Sequence, residues 1–397
     1  MILGDLTLVH HMVDISSPKK ERVKKKSMII GIDGNEANSE RRVGIGAYAF
    51  SLLTHLTKNL DSETQLRIYL KDQPVKDMPQ SKTIHYEIVG PKRLWTQIGL
   101  PLKLFRERRK PYVFFSPSHY SPRFSPVPTA ISIMDLSFIH YPQTFAKKDL
   151  AQLTNWTKYS AKKAHVIFTI SNASKNDIID TYHVPEERVV VTYPGIREIV
   201  TLDPQIYSKA MLEKQYKIKE PYFLFVGTLQ PRKNIERLIE AFAKLREQTD
   251  KDIQLVIVGK RGWLYEKILQ SPQKYNVSEY VTFLDFVKDD DLTILYKHAT
   301  SYVLPSLYEG FGLPVLEAMK YSCPVITSNV SSLPEAGGDA ALYVNPEDVQ
   351  DISKKMKMML EDTKLRENMI KKGLEQVKKF SWDKTARQTL DALKKAV

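Results

Sequence analysis

Short apolar runs alternate with amphipathic segments from Met28 almost to the end of the chain. Runs that are apolar throughout fit strands buried on both faces, and the amphipathic segments fit helices that cover those faces. Parallel strands need such crossover helices, whereas antiparallel strands can be joined by tight turns. The alternation therefore predicts an α/β protein built from two doubly wound, Rossmann-like units.

The predicted elements form two similar series. In the first half, a strand at 28–33 is followed by strands at 66–70, 84–89, 113–115, 130–134, 166–170 and 189–191. In the second half, strands are predicted at 222–226, 254–258, 281–284, 301–304, 324–327 and 341–344. The clearest helical patterns lie at 47–60, 147–164 and 382–396, the last with Ser381 as its N-cap.

The length of 397 residues exceeds what a single core usually supports, so two domains are expected. Residues 1–27 carry six basic and three acidic residues, and they are predicted to be a disordered basic extension. The polar stretch near 200–218 has no strand pattern and indicates the boundary. We predict an N-terminal domain at 28–205, a C-terminal domain at 206–380 and a separate last helix at 381–397.

Composition excludes several protein classes. The single cysteine, Cys323, cannot form an internal disulfide framework or a zinc cluster, and its apolar neighbours favour a buried thiol. No run approaches the roughly 18 apolar residues of a membrane-spanning helix, and the N-terminus does not read as a signal peptide. These features predict a cytoplasmic protein. The net charge of +13 has no nucleic-acid recognition motif beside it, so no nucleic-acid partner is expected.

The most informative segment is 304–319, in which an apolar strand ends, Gly310 and Gly312 follow, and Pro314 stands where a helix would begin. Glycines allow a ligand to approach the backbone closely, and proline suits the first turn of a helix. The free N–H groups and the positive end of the helix dipole favour a phosphate. Glu309 and Glu317 flank this site, where carboxylates would bind hydroxyl groups of a sugar or ribose.

A second strand, glycine turn and helix start lies at 225–234. It contains Gly227 and, a few residues later, Arg232 and Lys233. Cations at a helix N-terminus oppose the helix dipole, so an anionic partner is needed to make them favourable. A diphosphate would meet that need.

The segment from Glu309 to Glu317 resembles the E-x7-E signature of retaining, metal-independent glycosyltransferases of family 4, also called group 1. The segment at 44–48 is similar to the glycine loop of that family, and the resemblance runs from Met28 to the C-terminus. It implies the GT-B fold, in which two Rossmann-like domains face each other across a cleft. The N-terminal domain would bind the acceptor and the C-terminal domain the nucleotide-sugar donor, and the last helix would cross back to the N-terminal domain.

The resemblance also implies roles for single residues. Glu309 would bind hydroxyl groups of the transferred sugar, Glu317 would bind the ribose, and Arg232 and Lys233 would neutralise the departing diphosphate. Catalysis would depend mainly on this fixed charge, in a reaction where a donor phosphate oxygen accepts the proton of the acceptor. The implied catalytic set is Glu309, Arg232, Lys233 and Asp135. The implied donor-binding set is Gly227, Arg232, Lys233, Glu309, Gly310, Phe311, Gly312, Leu313 and Glu317, and the glycine loop provides Gly44 and Gly46.

Two positions depart from the family pattern. Met134 stands directly before Asp135, where many relatives carry a histidine near the reacting sugar. His140 follows six residues later, but a lone histidine in an apolar segment is more often structural. Many relatives also place an arginine directly after the turn glycine, where this chain has Thr228. The first departure leaves open a module that binds the donor without turnover.

No metal site is predicted. Three consecutive acids at 289–291 resemble the metal-binding Asp-x-Asp of other glycosyltransferases only superficially, because an amphipathic stretch follows them directly. Acids in that position are favoured by the helix dipole alone. No cofactor is expected beyond the nucleotide diphosphate sugar, and the segment at 258–263, similar to one in several mannosyltransferases, favours GDP-mannose.

The segment at 94–110 mixes apolar and basic residues, and residues 92–110 contain seven basic residues and one acidic residue. Trp95, Ile98, Leu102 and Phe105 fall roughly on one face of a helix that is expected to break near Pro101. Aromatic and basic residues in this arrangement fit a helix lying on an anionic membrane. An ordinary helix packed on the protein fits the pattern equally well.

Together these features predict a retaining, metal-independent glycosyltransferase that moves a hexose, with mannose or glucose favoured, to a lipid-linked or polysaccharide acceptor. It would work in the cytoplasm, with a peripheral position at the inner face of the membrane as one option. The alternatives are a nucleotide-sugar epimerase or hydrolase on the same scaffold, and a non-catalytic nucleotide-sugar binding module. Transfer of label to an added acceptor distinguishes the first reading from both alternatives.

Overall fold

Two parallel sheets with helices on both faces make up the protein. The computed structural model describes residues 27–196, 209–285 and 287–396. The first sheet has seven strands in the order β3-β2-β1-β4-β5-β6-β7, and the second has six in the order β10-β9-β8-β11-β12-β13. Every strand pair is parallel. The predicted α/β fold with two doubly wound sheets is confirmed.

The strands of the N-terminal sheet are β1 Met28–Asp33, β2 Thr64–Leu70, β3 Ile84–Ile88, β4 Val113–Ser116, β5 Thr129–Ser132, β6 Val166–Thr169 and β7 Val189–Val191. The helices of this half are α1 Ile45–Lys58, α2 Leu100–Arg106, α3 Ser137–His140, α4 Lys147–Lys163 and α5 Asn172–Tyr182. All seven predicted strands are present. The predicted strand at 130–134 ends at Ser132, so Met134 and Asp135 lie in the connection that follows β5.

The strands of the C-terminal sheet are β8 Tyr222–Val226, β9 Gln254–Val258, β10 Val281–Leu284, β11 Ser301–Leu304, β12 Val325–Ser328 and β13 Ala341–Val344. The helices are α6 Lys209–Met211, α7 Ile235–Arg246, α8 Glu266–Lys274, α9 Asp289–His298, α10 Leu313–Lys320, α11 Leu333–Gly337, α12 Val349–Glu361, α13 Thr363–Val377 and α14 Trp382–Lys395. These six strands match the predicted six to within one residue. Buried Cys323 belongs to the core of this half, and burial raises the pKa of its thiol, as expected for an inert cysteine.

The last helix, α14, packs on the N-terminal half although it follows the C-terminal half in sequence. Ser381 caps it by accepting a hydrogen bond from the Lys384 N–H, as predicted. Its Trp382 lies edge-on to Tyr48 of α1, with ring centroids 5.6 Å apart. Its buried face joins the same apolar cluster as β1, β2 and α1. The chain therefore crosses between the two halves twice.

Two predicted features fall partly outside the described residues. The basic extension at 1–27 is described only at Ser27, and the predicted domain junction at 205/206 lies between Ile196 and Lys209. The exact junction stays a prediction. The break expected near Pro101 is wrong, because Pro101 occupies the first turn of α2, where a missing N–H is tolerated.

Candidate active site

The sheet topology fixes where a ligand can bind. In each sheet the strand order reverses beside the first strand of that half, next to β1 and β4 in one sheet and β8 and β11 in the other. Loops diverge from the carboxyl ends of the strands at such a switch point and leave a crevice. Gly227, Arg232 and Lys233 follow β8, and Glu309 follows β11. The predicted residues therefore come from the two loops that border one crevice.

The centre of this crevice is a cluster of three charges. The Lys233 Nζ lies 2.6 Å from Oε1 of Glu309, and Nη1 of Arg232 lies 3.1 Å from Oε2. The side chains are only 9–13% exposed, so the ion pairs are shielded from water. Arg232 also donates to the main-chain oxygen of Tyr308. The two predicted turns thus meet at Glu309.

Mutual charge sets the ionisation of the cluster. Burial alone would raise the pKa of Glu309, but Lys233 and Arg232 lower it to about 2. Burial lowers the pKa of Lys233, and Glu309 opposes that effect. Burial also acts to lower the pKa of Arg232, but Glu309 and then Asp135 outweigh it and raise the value. Glu309 is therefore ionised at every working pH, and it is a poor general base.

Hydrogen bonds hold both loops of the cluster in place. Ser331 Oγ accepts a hydrogen bond from the Glu309 N–H at 2.9 Å and donates one to the main-chain oxygen of Glu309 at 2.6 Å. Ser332 Oγ donates to the same main-chain oxygen. Asn234, with φ of 60°, donates from its amide to the main-chain oxygens of Pro305 and Pro346. The Leu307 N–H donates to the Arg232 oxygen at 2.9 Å. The charges are thus preorganised before any ligand binds.

Helix α10 begins directly after this cluster. Gly312, with φ of 106°, precedes it, and no side chain caps its first N–H groups. Such open N–H groups favour an anion. The Phe311 ring packs between Tyr193 and Phe380, at 5.5 and 5.3 Å between centroids. The binding role predicted for Phe311 concerns its backbone N–H and does not require the ring.

The N-terminal half contributes the opposite wall. A β-carbon at Gly310 would lie 2.9 Å from Oδ2 of Asp135 and 3.0 Å from the main-chain oxygen of Met134. Only glycine allows the two walls to approach this closely. Asp135 Oδ1 also accepts from the Ser137 N–H at 2.8 Å. Asp135 thus joins the cluster across the crevice, as its charge effect on Arg232 indicates.

A cavity of about 480 Å³ lies between the two walls. Gly44 borders it with a φ of 52°, at the N-terminus of α1, which also has no side-chain cap. Gly46 lies buried in the first turn of that helix. The C-terminal wall of the cavity is the segment from Glu309 to Pro314, so Gly310, Phe311, Gly312 and Leu313 all line it. Carboxylates of both halves, Glu36, Asp135 and Glu309, line it among apolar side chains, and such a cavity suits a polar molecule that carries hydroxyl groups.

Comparisons with known proteins identify the family. The sequence model described as "Glycosyl transferases group 1" matches residues 209–376. The O-antigen chain mannosyltransferase B of Escherichia coli is 31% identical over 367 residues, which cover 88% of this chain and 96% of that protein. The chain belongs to the group 1 glycosyltransferases.

Solved structures agree on the fold. Sucrose-phosphate synthase from Thermosynechococcus elongatus superposes with a TM-score of 0.68 at 20% identity, covering 93% of this chain and 98% of that one. Anabaena HepE, solved with UDP and glucose, gives a TM-score of 0.67 at 18% identity and covers 93% and 100% of the two chains. Structures at these sequence identities support the GT-B fold but say nothing about donor or acceptor. The resemblance to this fold and family is confirmed.

The predicted site residues that do not line the cavity are Arg232, Lys233, Gly227, Glu317 and Gly46. Glu317 lies one turn inside α10, half-buried, and Gly227 lies close to the Lys233 side chain at the end of β8. Both stay predicted donor contacts. His140 packs on Tyr308 with ring centroids 5.0 Å apart and lies 3.3 Å from Asp177, outside the cavity. It is therefore a contact between the two halves of the protein.

The structure adds residues that the sequence patterns did not single out. Glu335 of the C-terminal half accepts hydrogen bonds from the first N–H groups of α5, at Asn172 and Ala173, both at 2.8 Å. The Tyr308 hydroxyl donates to Asp177 at 2.6 Å. His119 lines the cavity beside Met134. No short motif marks these residues, because each acts through a contact between distant parts of the chain.

Within 27–196, 209–285 and 287–396, no three His, Cys, Asp or Glu residues are grouped so that they could hold a metal ion. Asp289, Asp290 and Asp291 form the first turn of α9, and Asp291 accepts a hydrogen bond from the Tyr216 hydroxyl at 2.6 Å. None of the helices in the described part of the chain is long and apolar enough to span a bilayer.

The basic segment at 94–110 is folded differently from the prediction. Residues Trp95–Gly99 form a π-helical turn that leads into α2. The wider turn points Trp95 inward, where it is 2% exposed and donates to the Val89 oxygen at 2.9 Å. Ile98, Leu102 and Phe105 remain on the surface. The predicted apolar face is therefore correct except for Trp95, which belongs to the core.

Proposed function

We propose that this glycosyltransferase is a retaining, metal-independent mannosyltransferase that uses a nucleotide diphosphate sugar, with GDP-mannose favoured over glucose donors. The observation that carries the proposal is the buried Lys233–Glu309–Arg232 cluster beside the uncapped start of α10. Its cations would bind the diphosphate, and Glu309 would bind hydroxyl groups of the hexose. No cofactor is required, because the charge that a metal would supply is already fixed in the protein.

The charge cluster also supports retention. Lys233 and Arg232 lower the pKa of Glu309 to about 2, so this carboxylate is a poor base for the attacking hydroxyl. The proton of the attacking hydroxyl would then pass to an oxygen of the leaving phosphate, on the same face of the sugar. Arg232, Lys233 and the N–H groups of Phe311 and Gly312 would stabilise the negative charge as the bond to the sugar breaks.

The relatives support a mannosyl donor and a polysaccharide or lipid-linked acceptor. The chain covers 96% of the E. coli O-antigen chain mannosyltransferase B, which by its name transfers mannose to an O-antigen chain. The cavity lies between both halves, so an acceptor hydroxyl would approach the bound hexose from the N-terminal half. Epimerase, hydrolase and non-catalytic binding remain the alternatives against which this proposal is tested.

A donor screen tests the proposal directly. We expect GDP-mannose to raise the melting temperature of the protein more than UDP-, ADP- or dTDP-linked hexoses, because a ligand that binds only the folded state stabilises it. With an added mannan or lipid-linked acceptor, label should appear in the acceptor as an α-linkage, and excess EDTA should not reduce the rate. Free or isomerised hexose as the main product, or donor binding with no turnover, would contradict the assignment.

We further propose that the surface around α2 binds an anionic membrane at the inner face, where a lipid-linked acceptor would lie. Leu94, Ile98, Leu102 and Phe105 are 44–53% exposed, and Phe124 is 75% exposed. The Arg123 N–H donates to the Thr96 oxygen at 3.2 Å, which brings Phe124 beside the same surface. Exposed apolar residues that are bordered by cations favour binding to an anionic bilayer over exposure to water or contact with an uncharged partner.

Vesicle binding checks this surface. Replacing Arg106 and Arg108 with glutamine should weaken binding to phosphatidylglycerol vesicles by roughly 30-fold, since each cation contributes about 1 kcal/mol near such a surface. The matched control is K371Q with K372Q, which removes the same charge from the exposed face of α13. Equal loss of binding in both variants would mean that net charge, and not the α2 surface, attracts the membrane.

A further inference from the structure

His119 is a polar side chain of the cavity that the proposed chemistry leaves unused. It follows β4 at the switch point of the N-terminal sheet and lines the cavity together with Met134 and Asp135. Its ring packs edge-on against Phe138, with centroids 6.1 Å apart. Its Nδ1 is buried and has no hydrogen-bond partner among the described residues. Buried polar atoms are nearly always paired, so an unpaired one on a residue that lines a cavity indicates a missing partner.

The charge state of the ring indicates which ligand would pair with it. Burial lowers the pKa of His119, although the charge of Asp135 opposes that effect, so the imidazole is neutral at working pH. A neutral imidazole offers one N–H donor and one acceptor nitrogen. A sugar hydroxyl can use either, whereas a diphosphate is better bound by cations. Those cations, Arg232 and Lys233, contact Glu309 of the opposite wall.

The position of His119 agrees with this chemistry. Across the cavity from the N-terminal wall lies the segment from Glu309 to Pro314, where the diphosphate and the reacting carbon are expected. Met134 borders the same space and offers only a weak thioether acceptor. Of Met134 and His119, His119 is therefore the side chain that can hydrogen-bond a sugar hydroxyl.

We propose that His119 hydrogen-bonds a hydroxyl group of the transferred hexose and contributes to the choice of sugar. This inference rests on the proposed function, since it requires a nucleotide-sugar donor in the cavity. It places the sugar between His119 and Glu309, and the diphosphate beside Arg232 and Lys233.

Paired binding measurements test the assignment. Calorimetry with GDP and with GDP-mannose, or with whichever donor stabilises the wild type in the screen, separates nucleotide contacts from sugar contacts. We expect H119A to bind GDP like the wild type and GDP-mannose about tenfold more weakly, as for one lost hydrogen bond of about 1.4 kcal/mol. H119N should recover part of the loss, because its amide can replace Nδ1. H165A, at an exposed histidine, is the matched control and should bind both ligands normally.

Two outcomes would overturn the assignment. Equal weakening of GDP and GDP-mannose in H119A would indicate a packing role, and unchanged binding of both, with only the acceptor KM altered, would assign His119 to the acceptor. A wild type that binds no nucleotide or nucleotide sugar would instead contradict the proposed function itself. The two failures are therefore distinct.

Discussion

Asp33, the last residue of β1, and Glu309, in the loop after β11, are both buried carboxylates, but their pKa values shift in opposite directions. Burial raises the pKa of Asp33 to about 6, and hydrogen bonds from Asn35 offset this only in part. Burial acts on Glu309 in the same sense, yet Lys233 and Arg232 bring its pKa down to about 2. The difference comes from the partners, since both side chains are equally buried.

The same contrast extends to the two walls of the cavity. The C-terminal wall contains fixed charges and an uncapped helix start. The N-terminal wall contains the carboxylates of Glu36 and Asp135 and the neutral His119. Cations therefore stand beside one wall, whereas the other presents groups that can accept hydrogen bonds from hydroxyls. A nucleotide sugar has an anionic diphosphate and a hydroxyl-bearing sugar, so the contrast agrees with the proposed donor.

The largest expected effect comes from removing the charge on the C-terminal wall. E309Q should lower the rate of transfer by about 10²- to 10³-fold, because the sugar loses its carboxylate partner and the two cations lose the group that orients them. GDP without sugar should bind the variant at least as tightly as the wild type, since Lys233 and Arg232 no longer have an internal counter-charge. Initial rates and calorimetry measure the two quantities.

The control for E309Q is E361Q, at an exposed glutamate of α12. Melting temperatures of both variants separate loss of function from loss of fold. Transfer by E309Q at the wild-type rate, or weaker binding of GDP, would show that the cluster is structural and that the contrast between the two walls does not reflect donor binding.

The smaller effect concerns stability and the N-terminal half. The folded pKa of Asp33, about 6, exceeds its ordinary value of 3.8, so the folded state binds the proton more tightly. The contribution of Asp33 to the free energy of unfolding is therefore fully present below pH 3.8 and is lost as the pH rises to about 6. D33N should stabilise the protein above pH 6 by at most about 3 kcal/mol, at 1.36 kcal/mol per pKa unit, and by less at pH 5.

Denaturant unfolding at pH 5 and pH 8 checks this sign. D77N is the opposite control, because Arg42 lowers the pKa of Asp77 and removal of that charge should not stabilise the protein at either pH. A gain in D33N that is the same at both pH values would mean that the buried charge of Asp33 is not its source. The comparison between Asp33 and Glu309 would then lose its electrostatic basis.

Much of the fold and part of the site could be predicted because their signals are local. All thirteen strands were expected, since a run apolar on both faces needs only its own residues to be recognised. The glycines and Glu309 at the start of α10 were found because a strand, a turn and a helix start are contiguous. An α-helical period puts Trp95 on the same face as Ile98, Leu102 and Phe105. The chain instead forms a π-helical turn there, and Trp95 is buried.

The two parallel sheets, the family signature and the loops that carry the charges are properties of neighbouring residues, so they can be predicted from the amino-acid sequence. The use of these loops depends on the packing of the whole chain. That packing pairs Lys233 with Glu309, brings Gly310 against Asp135 and leaves Nδ1 of His119 without a partner among the described residues. Those relations join residues far apart in the chain, so they depend on how the two sheets pack and not on any local pattern.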